Sequence, residues 1–534
     1  MTSNETPHRT AADLPDHLDV VIVGAGLSGI GMAYRLQEKM PLSRYAILES
    51  REASGGTWDL FRYPGVRSDS DMYTLSYPFR PWRGRKAIAD GADILEYVRA
   101  TARDNGIDEH IHYGSEVVAS SWSTPDQRWT VTIRSTERDG SEQVREITAG
   151  HLHLAVGYYD YATPHTPHFD GIDDFGGQVV HPQFWPENLD HTGKRVVIIG
   201  SGATAVTLVP SMTDQAAHVT MLQRTPSYIF TVPLEDKLVQ TLAEVLPKKL
   251  THRIARAKNV GVQGFFYRLS RRSPAAAKAI VMADLGHRLP REEIAEHFTP
   301  PYDVWDQRLC AVPNGDLFRS LRTGAASVVT GRIDRFVAEG IRLQDGRVVE
   351  ADIVVTATGL RMKALGGVEF TRDGTPMEID SSYAYRGMMV SGLPNLTLSI
   401  GYVNASWTLR ADLISRYAVR LLMHMREKDY GLAVPIAPDG LTAGPIMDLS
   451  SGYVQRAIAR FPKVGHRAPW VVPQSYVRDK VDFARADVRE AMFFVRRGDA
   501  NALLPQSAAA PAVLDGTPVD APDVVVPGPE LTRA

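Results

Sequence analysis

Twice in this sequence an apolar strand runs straight into a glycine-rich turn and then a helix. The first copy is "LDVVIVGAGLSGIGMAYRLQEK", beginning at Leu18, and the second is "KRVVIIGSGATAVTLVPSM", beginning at Lys194. A continuous Val/Ile run predicts a strand buried on both faces, as in a parallel sheet. Each is followed by a further strand, "YAILES" (45–50) and "HVTMLQR" (218–224), and a third buried strand is expected at "ADIVVTATG" (351–359). The chain is therefore expected to be α/β, with two Rossmann-type dinucleotide-binding domains.

The glycines say what the turns are for. Gly24, Gly26 and Gly29 allow a tight turn, close approach of backbone to a diphosphate, and close helix–strand packing, with Ala25, Leu27 and Ser28 between them. The helix N-terminus then faces the phosphates. Glu49 ends the next strand, where a carboxylate can accept hydrogen bonds from both ribose hydroxyls. In the second motif, Gly200-Ser201-Gly202-Ala203-Thr204-Ala205, the third glycine is Ala205, and the next strand ends in Gln223-Arg224-Thr225 without an acid. An arginine there pairs with a 2′-phosphate that a carboxylate would repel, so the second site should prefer NADPH. A plain structural turn and a solvated surface arginine are the competing readings. Two such sites in one chain point to FAD plus NADPH.

Composition narrows the chemistry. The single cysteine, Cys310, permits neither an internal disulfide nor a dithiol redox motif, and suits a reducing cytosol. A net charge of -3 gives no reason to expect nucleic acid. The polar N-terminus lacks the apolar core of a signal peptide, no transmembrane run occurs, and a cytoplasmic location is expected. Residues 232–300 read as helices carrying a basic segment: Lys248, Lys249, Arg253, Arg256, Lys258, Arg271 and Arg272. A solvated helix face is the plainer reading of it, and peripheral contact with an anionic membrane the other.

Two long motifs add a resemblance. Phe175, Gly177, His181 and Trp185 fit F-x-G-x-x-x-H-x-x-x-W, and "GGTWDLFRYPGVRSD" (55–69) fits [AG]-G-x-W-x-x-x-x-[FY]-P-[GM]-x-x-x-D. With both glycine turns in order, the chain resembles the class B flavin monooxygenases, in particular the Baeyer–Villiger monooxygenases, over residues 18–480. "SDSDMYTL", "HPQFWPENLD" and "VWDQRLCAVPNGDLF" make it most similar to the ethionamide-activating branch.

The resemblance implies that NADPH reduces FAD, that reduced flavin adds O2 to give a C4a-peroxide, and that this attacks a small or medium hydrophobic ketone to yield an ester or lactone. Sulfoxidation would be a side activity. It implies that Arg308 is the active-site cation and Asp69 its orienting partner. A structural salt bridge and a capping aspartate are the bland alternatives. It further implies that Thr57, Trp58 and Asp59 line the flavin, that Arg67 and Ser68 lie where the two cofactor sites approach, and that Val117 contacts adenine. Phe175, Gly177, His181 and Trp185 would form a joint between the domains, remote from the reacting atoms. Two departures from the family pattern stand out. Val156 replaces the usual Thr in one linker, and Gln307 replaces a Lys before the active Arg, so NADPH preference rests more on Arg224.

The expected organisation is a flexible tail (1–17), an FAD domain in two segments (18–160 and 352–503), an NADPH domain (161–351) with a helical insertion at about 232–300, and a flexible tail (504–534). No metal site is expected. Two rival functions remain open from sequence: an N- or S-oxidising flavin monooxygenase without ketone activity, and a non-enzymatic redox-sensing flavoprotein.

Overall fold

The computed structural model describes residues 9–136 and 141–510. Its centre is two sheets. The larger has nine strands, with His17–Val23, Tyr45–Leu48, Ile111–His112, Glu142–Leu154 and Leu396–Leu398 paired in parallel. Val20 pairs with Tyr45, and Val23 with Leu48 on one side and Leu154 on the other. Both faces are covered, which is why Val20 to Ile22 are all buried. An antiparallel meander, Glu116–Ser123, Arg128–Thr136 and Glu142–Leu154, extends this sheet, and Glu369–Arg372 and Thr375–Pro376 complete its edge.

The second sheet is wholly parallel, in the order Ala326–Thr330, His218–Gln223, Arg195–Ile199, Ile353–Thr356, Gln178–Val180. This moves the domain boundary expected at 351/352. Ile353, Val354 and Val355 are buried because the strand is flanked on both sides, so the second unit runs to Thr356 before the chain returns to the first sheet. The fold is α/β with two dinucleotide-binding domains.

Each turn leads into its helix. Leu27–Lys39 buries Ile30, Ala33 and Leu36 at helical spacing and carries Lys39 in its last turn, where a cation is favoured. It packs against the long helix Trp407–Glu427 and is locked to it by a buried pair, Arg35 to Asp412 at 2.6 Å. Ala203–Met212 follows the second turn. The expected helical insertion is four helices: Lys237–Val245, Lys248–Arg272, Pro274–Gly286 and Arg291–His297.

Both expected tails are partly wrong. Residues 9–17 pack, with Ala11 and Leu14 buried and Arg145 donating to the Ala11 and Ala12 carbonyls. At the other end Ala508 and Ala510 donate backbone N–H bonds to Ala437 and Ser381, at 3.0 and 2.6 Å. Residues 1–8 and 511–534, the rest of those tails, lie outside the described residues. The basic segment is not a uniform solvated face either. Arg256 is buried and donates to the carbonyls of Tyr73, Thr74 and Ser76, Lys258 pairs with Asp236, and Arg271 with Asp306. Among the described residues no helix is long and apolar enough to cross a membrane.

Candidate active site between two glycine turns

One cavity of about 2470 Å³ runs along both glycine turns. A drug-sized pocket is roughly 300–1,000 Å³, so this one has room for more than one large ligand. Gly24, Gly26, Ser28, Glu49, Thr57, Trp58, Arg67, Ser68, Asp69 and Val117 line it from the first domain. Gly200, Ser201, Gly202, Ala203, Thr204, Arg224, Thr225 and Arg308 line it from the second.

The turns suit phosphates. Neither helix has a side-chain N-cap, so the first-turn N–H groups of both are left for a ligand. A side chain at Gly202 would meet nothing within 4 Å: the backbone there faces open space a diphosphate could fill. At Gly29, by contrast, a Cβ would stand 1.9 Å from the Gly24 carbonyl oxygen. Gly29 and the buried Ala205 do not line the cavity; they set helix-to-strand distance. Glu49 is buried and accepts from Ala25 N (2.7 Å) and Arg51 N (3.1 Å). Burial pushes its carboxyl above the ordinary range, against those two bonds. Ser28 Oγ accepts from Trp407 Nε1 at 2.8 Å.

The loop 55–69 joins the two domains. Its Tyr63 faces Thr204 in the second glycine turn, and burial pushes the phenol up to about 12. A Cβ at Gly65 would overlap Ser211 Oγ at 1.8 Å, so the loop lies directly on the second helix. Arg67 pairs with Asp316, and Ser68 Oγ accepts from Ala89 N. Asp69 reaches Arg308 at 3.2 Å. That carboxylate, acting against burial, holds the guanidinium well above its usual range. Tyr158, Tyr159 and Tyr453 surround the pair, and burial raises Tyr159 and Tyr453. Cys310 is buried with its thiol pushed up to about 12 by burial, which makes it inert.

Asp59 is a correction. It does not line the cavity but turns away, buried, to pair with Arg51 and Arg99, the latter at 2.8 Å. A buried carboxylate needs cations, and Arg51 and Arg99 supply them.

The residues of the other long motif also stay off the cavity wall. Phe175 packs edge-on to Phe336, and a Cβ at Gly177 would lie 2.3 Å from the Asp352 oxygen. His181 caps the next turn, Nδ1 accepting from Gln183 N at 3.1 Å, while burial lowers its pKa against the His165 backbone. Trp185 is half-buried against the second core. The link to the first domain is Gln183, whose Nε2 donates to the carbonyls of Asp160 and Tyr161 at 2.9 and 3.0 Å. Sequence reasoning missed Gln183, Trp407 and the three tyrosines. Gln183 stood inside a motif only at an unspecified position, whereas Tyr63 filled the aromatic position of the other. Among the described residues no cluster of His, Cys, Asp or Glu could hold a metal.

Comparison with known proteins agrees with this geometry. A family described as pyridine nucleotide-disulphide oxidoreductase matches residues 21–263. The chain is 48% identical over 469 residues to the FAD-containing monooxygenase EthA of Mycobacterium tuberculosis, covering 87% of this chain and 95% of that one. It is 47% identical over 469 residues to the same-named protein of Mycolicibacterium smegmatis, covering 87% and 94%. Among solved structures, an oxidized steroid monooxygenase bound to NADP matches with a TM-score of 0.69 at 21% identity, covering 90% of this chain and all (100%) of that one. The polycyclic ketone monooxygenase of Thermothelomyces thermophila matches with 0.71 at 18%, covering 92% and 93%. These two likenesses establish the fold, and the two sequence relatives the family: the chain belongs to the FAD-containing monooxygenases of the class B flavin monooxygenase family.

Proposed function

We propose that this protein is an NADPH-dependent Baeyer–Villiger monooxygenase acting on small or medium hydrophobic ketones. One atom of O2 enters the ester or lactone and the other leaves as water, with NADPH supplying the two electrons. The observation that carries the reading is the Asp69–Arg308 pair on the wall of a cavity shared by both glycine turns.

Bound FAD and NADPH would supply hydride transfer and the activation of O2. The turn at Gly24–Gly29, with Glu49 toward the ribose and Thr57, Trp58 and Val117 on the walls, would hold FAD. The turn at Gly200–Ala205, with Arg224 and Thr225, would hold NADPH. Arg308 cannot deprotonate, so it presents a permanent positive charge to the oxygen that becomes negative during attack on a carbonyl. Asp69 fixes where that charge points. Tyrosines with raised pKa stay neutral around it and leave the charge of the pair undiluted. Sulfide oxygenation is a second reaction the same cavity supports.

The test is a ketone panel with NADPH and ¹⁸O2, following ester by gas chromatography and mass spectrometry. One labelled oxygen in an ester is the expected result. N- or S-oxides without ester would assign a heteroatom monooxygenase, and oxygen uptake that no substrate stimulates would assign a redox sensor.

A further inference from the structure

The helix Lys248–Arg272 is held chiefly along one side, with Thr251 and Ala255 also buried and Lys258 paired with Asp236. His252 Nε2 meets Ser76 Oγ at 3.0 Å, Arg256 donates to three carbonyls, and Gln263 donates to Asp71 at 2.9 Å. The opposite side exposes Leu250 (42%), Ile254 (37%), Val262 (61%) and Phe265 (67%). At 3.6 residues per turn these four lie within about 120° of arc, along roughly 22 Å of helix. Just before the helix, Val245 is 75% exposed. Single exposed apolar residues are ordinary; a row of them on one helical face marks a contact surface.

The charge around the row is one-sided. Residues 237–283 contain ten Lys and Arg against one acid, Glu244, in a chain whose net charge is -3. Within the helix, Lys248, Lys249, Arg253, Arg268 and Arg272 are exposed and have no carboxylate in ion-pair distance among the described residues. Lys249 and Arg253 stand along one edge of the row, and Arg268 and Arg272 continue beyond its C-terminal end. Long stems there can lie along an apolar surface while the cations reach headgroups.

We propose that this face docks on an anionic lipid surface, the helix lying in the interface plane with its apolar row among the acyl chains and its cations at the headgroups. Charge complementarity selects the occupant. A second copy joined by two-fold symmetry would bring the same cations against these, which is repulsive. The proposal does not depend on the reaction assigned to the cavity.

The test uses the full FAD-loaded protein in vesicle flotation. Phosphatidylglycerol–phosphatidylcholine vesicles should bind it at least about tenfold better than phosphatidylcholine alone, because polybasic faces are drawn to negative leaflets. Raising NaCl to about 0.5 M should weaken that preference by screening. Val262→Asp with Phe265→Asp should remove binding while leaving flavin absorbance unchanged, since both side chains are exposed. As a second readout, Val262→Cys carrying an environment-sensitive fluorophore should shift to the blue on anionic vesicles only; Cys310, being buried, stays unlabelled. Equal binding to both vesicle types, undiminished binding of the double variant, or an unshifted fluorophore overturns the proposal. So does a dimer that the double variant dissociates while the parent ignores lipid, which would assign the face to a second copy.

Discussion

The two glycine turns share a sequence pattern yet sit in different surroundings. The first is roofed: Gly26 faces Gly56, so that a Cβ there would lie 3.6 Å from its Cα, while Gly202 in the second has nothing within 4 Å. The strand beside the first ends in a buried acid bonded to two backbone N–H groups, Glu49. The strand beside the second ends in Gln223, tied back to His297 and Thr330, with Arg224 exposed on the cavity wall. A roofed cradle retains its ligand, and an open one lets it exchange. On the assignment proposed above, the first would hold a resident flavin and the second a nicotinamide that comes and goes with each turnover.

The largest effect is expected where the first cradle is tightest. Gly29→Ala puts a methyl 1.9 Å from a backbone oxygen. Backbone cannot yield as a side chain can, so the helix must move and the variant should purify without FAD or not fold. The second turn already has Ala205 in that place, and Ala205→Gly should cost about 1 kcal/mol or less. The ratio of flavin to protein absorbance reads both. A Gly29→Ala protein with a full flavin complement would end the claim that the two cradles differ in tightness.

Between the cradles, Arg308→Ala should cut ester formation at least about 100-fold, the usual loss when a donor to a developing oxyanion is removed. NADPH oxidation should continue and yield hydrogen peroxide. Asp69→Ala should do the same more weakly, because the charge stays but its aim is lost. Ester at near the parental rate from Arg308→Ala would remove Arg308 from the reaction.

At the open cradle the effect should be confined to one cofactor. Arg224→Ala deletes a charge-assisted contact worth about 1.5–3 kcal/mol, raising KM for NADPH about 10–100-fold. KM for NADH should barely move. Equal changes would mean that Arg224 does not read the 2′-phosphate.

What could be read in the sequence follows the range of the forces involved. Strand, turn and helix at residues 18–39 and 194–212 are local, and the structure has each of them in place. Asp69 and Arg308 are far apart in sequence, and only the resemblance brings them together on paper. Where neither local pattern nor motif applied, reading failed. Asp59 sits inside a motif but answers to Arg51 and Arg99, whose approach depends on tertiary packing. Ile353–Thr356 reads as a buried strand without saying to which sheet it belongs. Arg256 looks like its basic neighbours until three carbonyls at the end of another helix claim it. Tyr453 has no sequence signal at all; it matters because its short helix, Gly452–Gln455, returns beside Arg308.

The smallest effect separates the two sheets themselves. The central strand Glu142–Leu154 of the first sheet carries His151 and His153, both fully buried, with rings bonded to Thr397 and Ser399 hydroxyls at 2.9–3.0 Å. Burial pushes both down to about 3 from an ordinary 6.5. The strand Ile353–Thr356 of the second sheet has no titratable side chain. For a histidine with a depressed folded pKa, the folded state binds fewer protons than the unfolded one. Its contribution is therefore intact above about pH 6.5 and is lost as pH falls toward the folded pKa, at about 1 kcal/mol per histidine by pH 6 and about 2 by pH 5. His165 and His252, each pushed down to about 4 by burial, lie outside both strands and add a loss common to the molecule. The signature is thus a difference: between pH 7.5 and 6, amide exchange should accelerate in Glu142–Leu154 more than in Ile353–Thr356, and flavin release should come before loss of the second sheet. Acid that opened the second sheet first would show that the retention of the first cradle does not rest on the sheet beneath it.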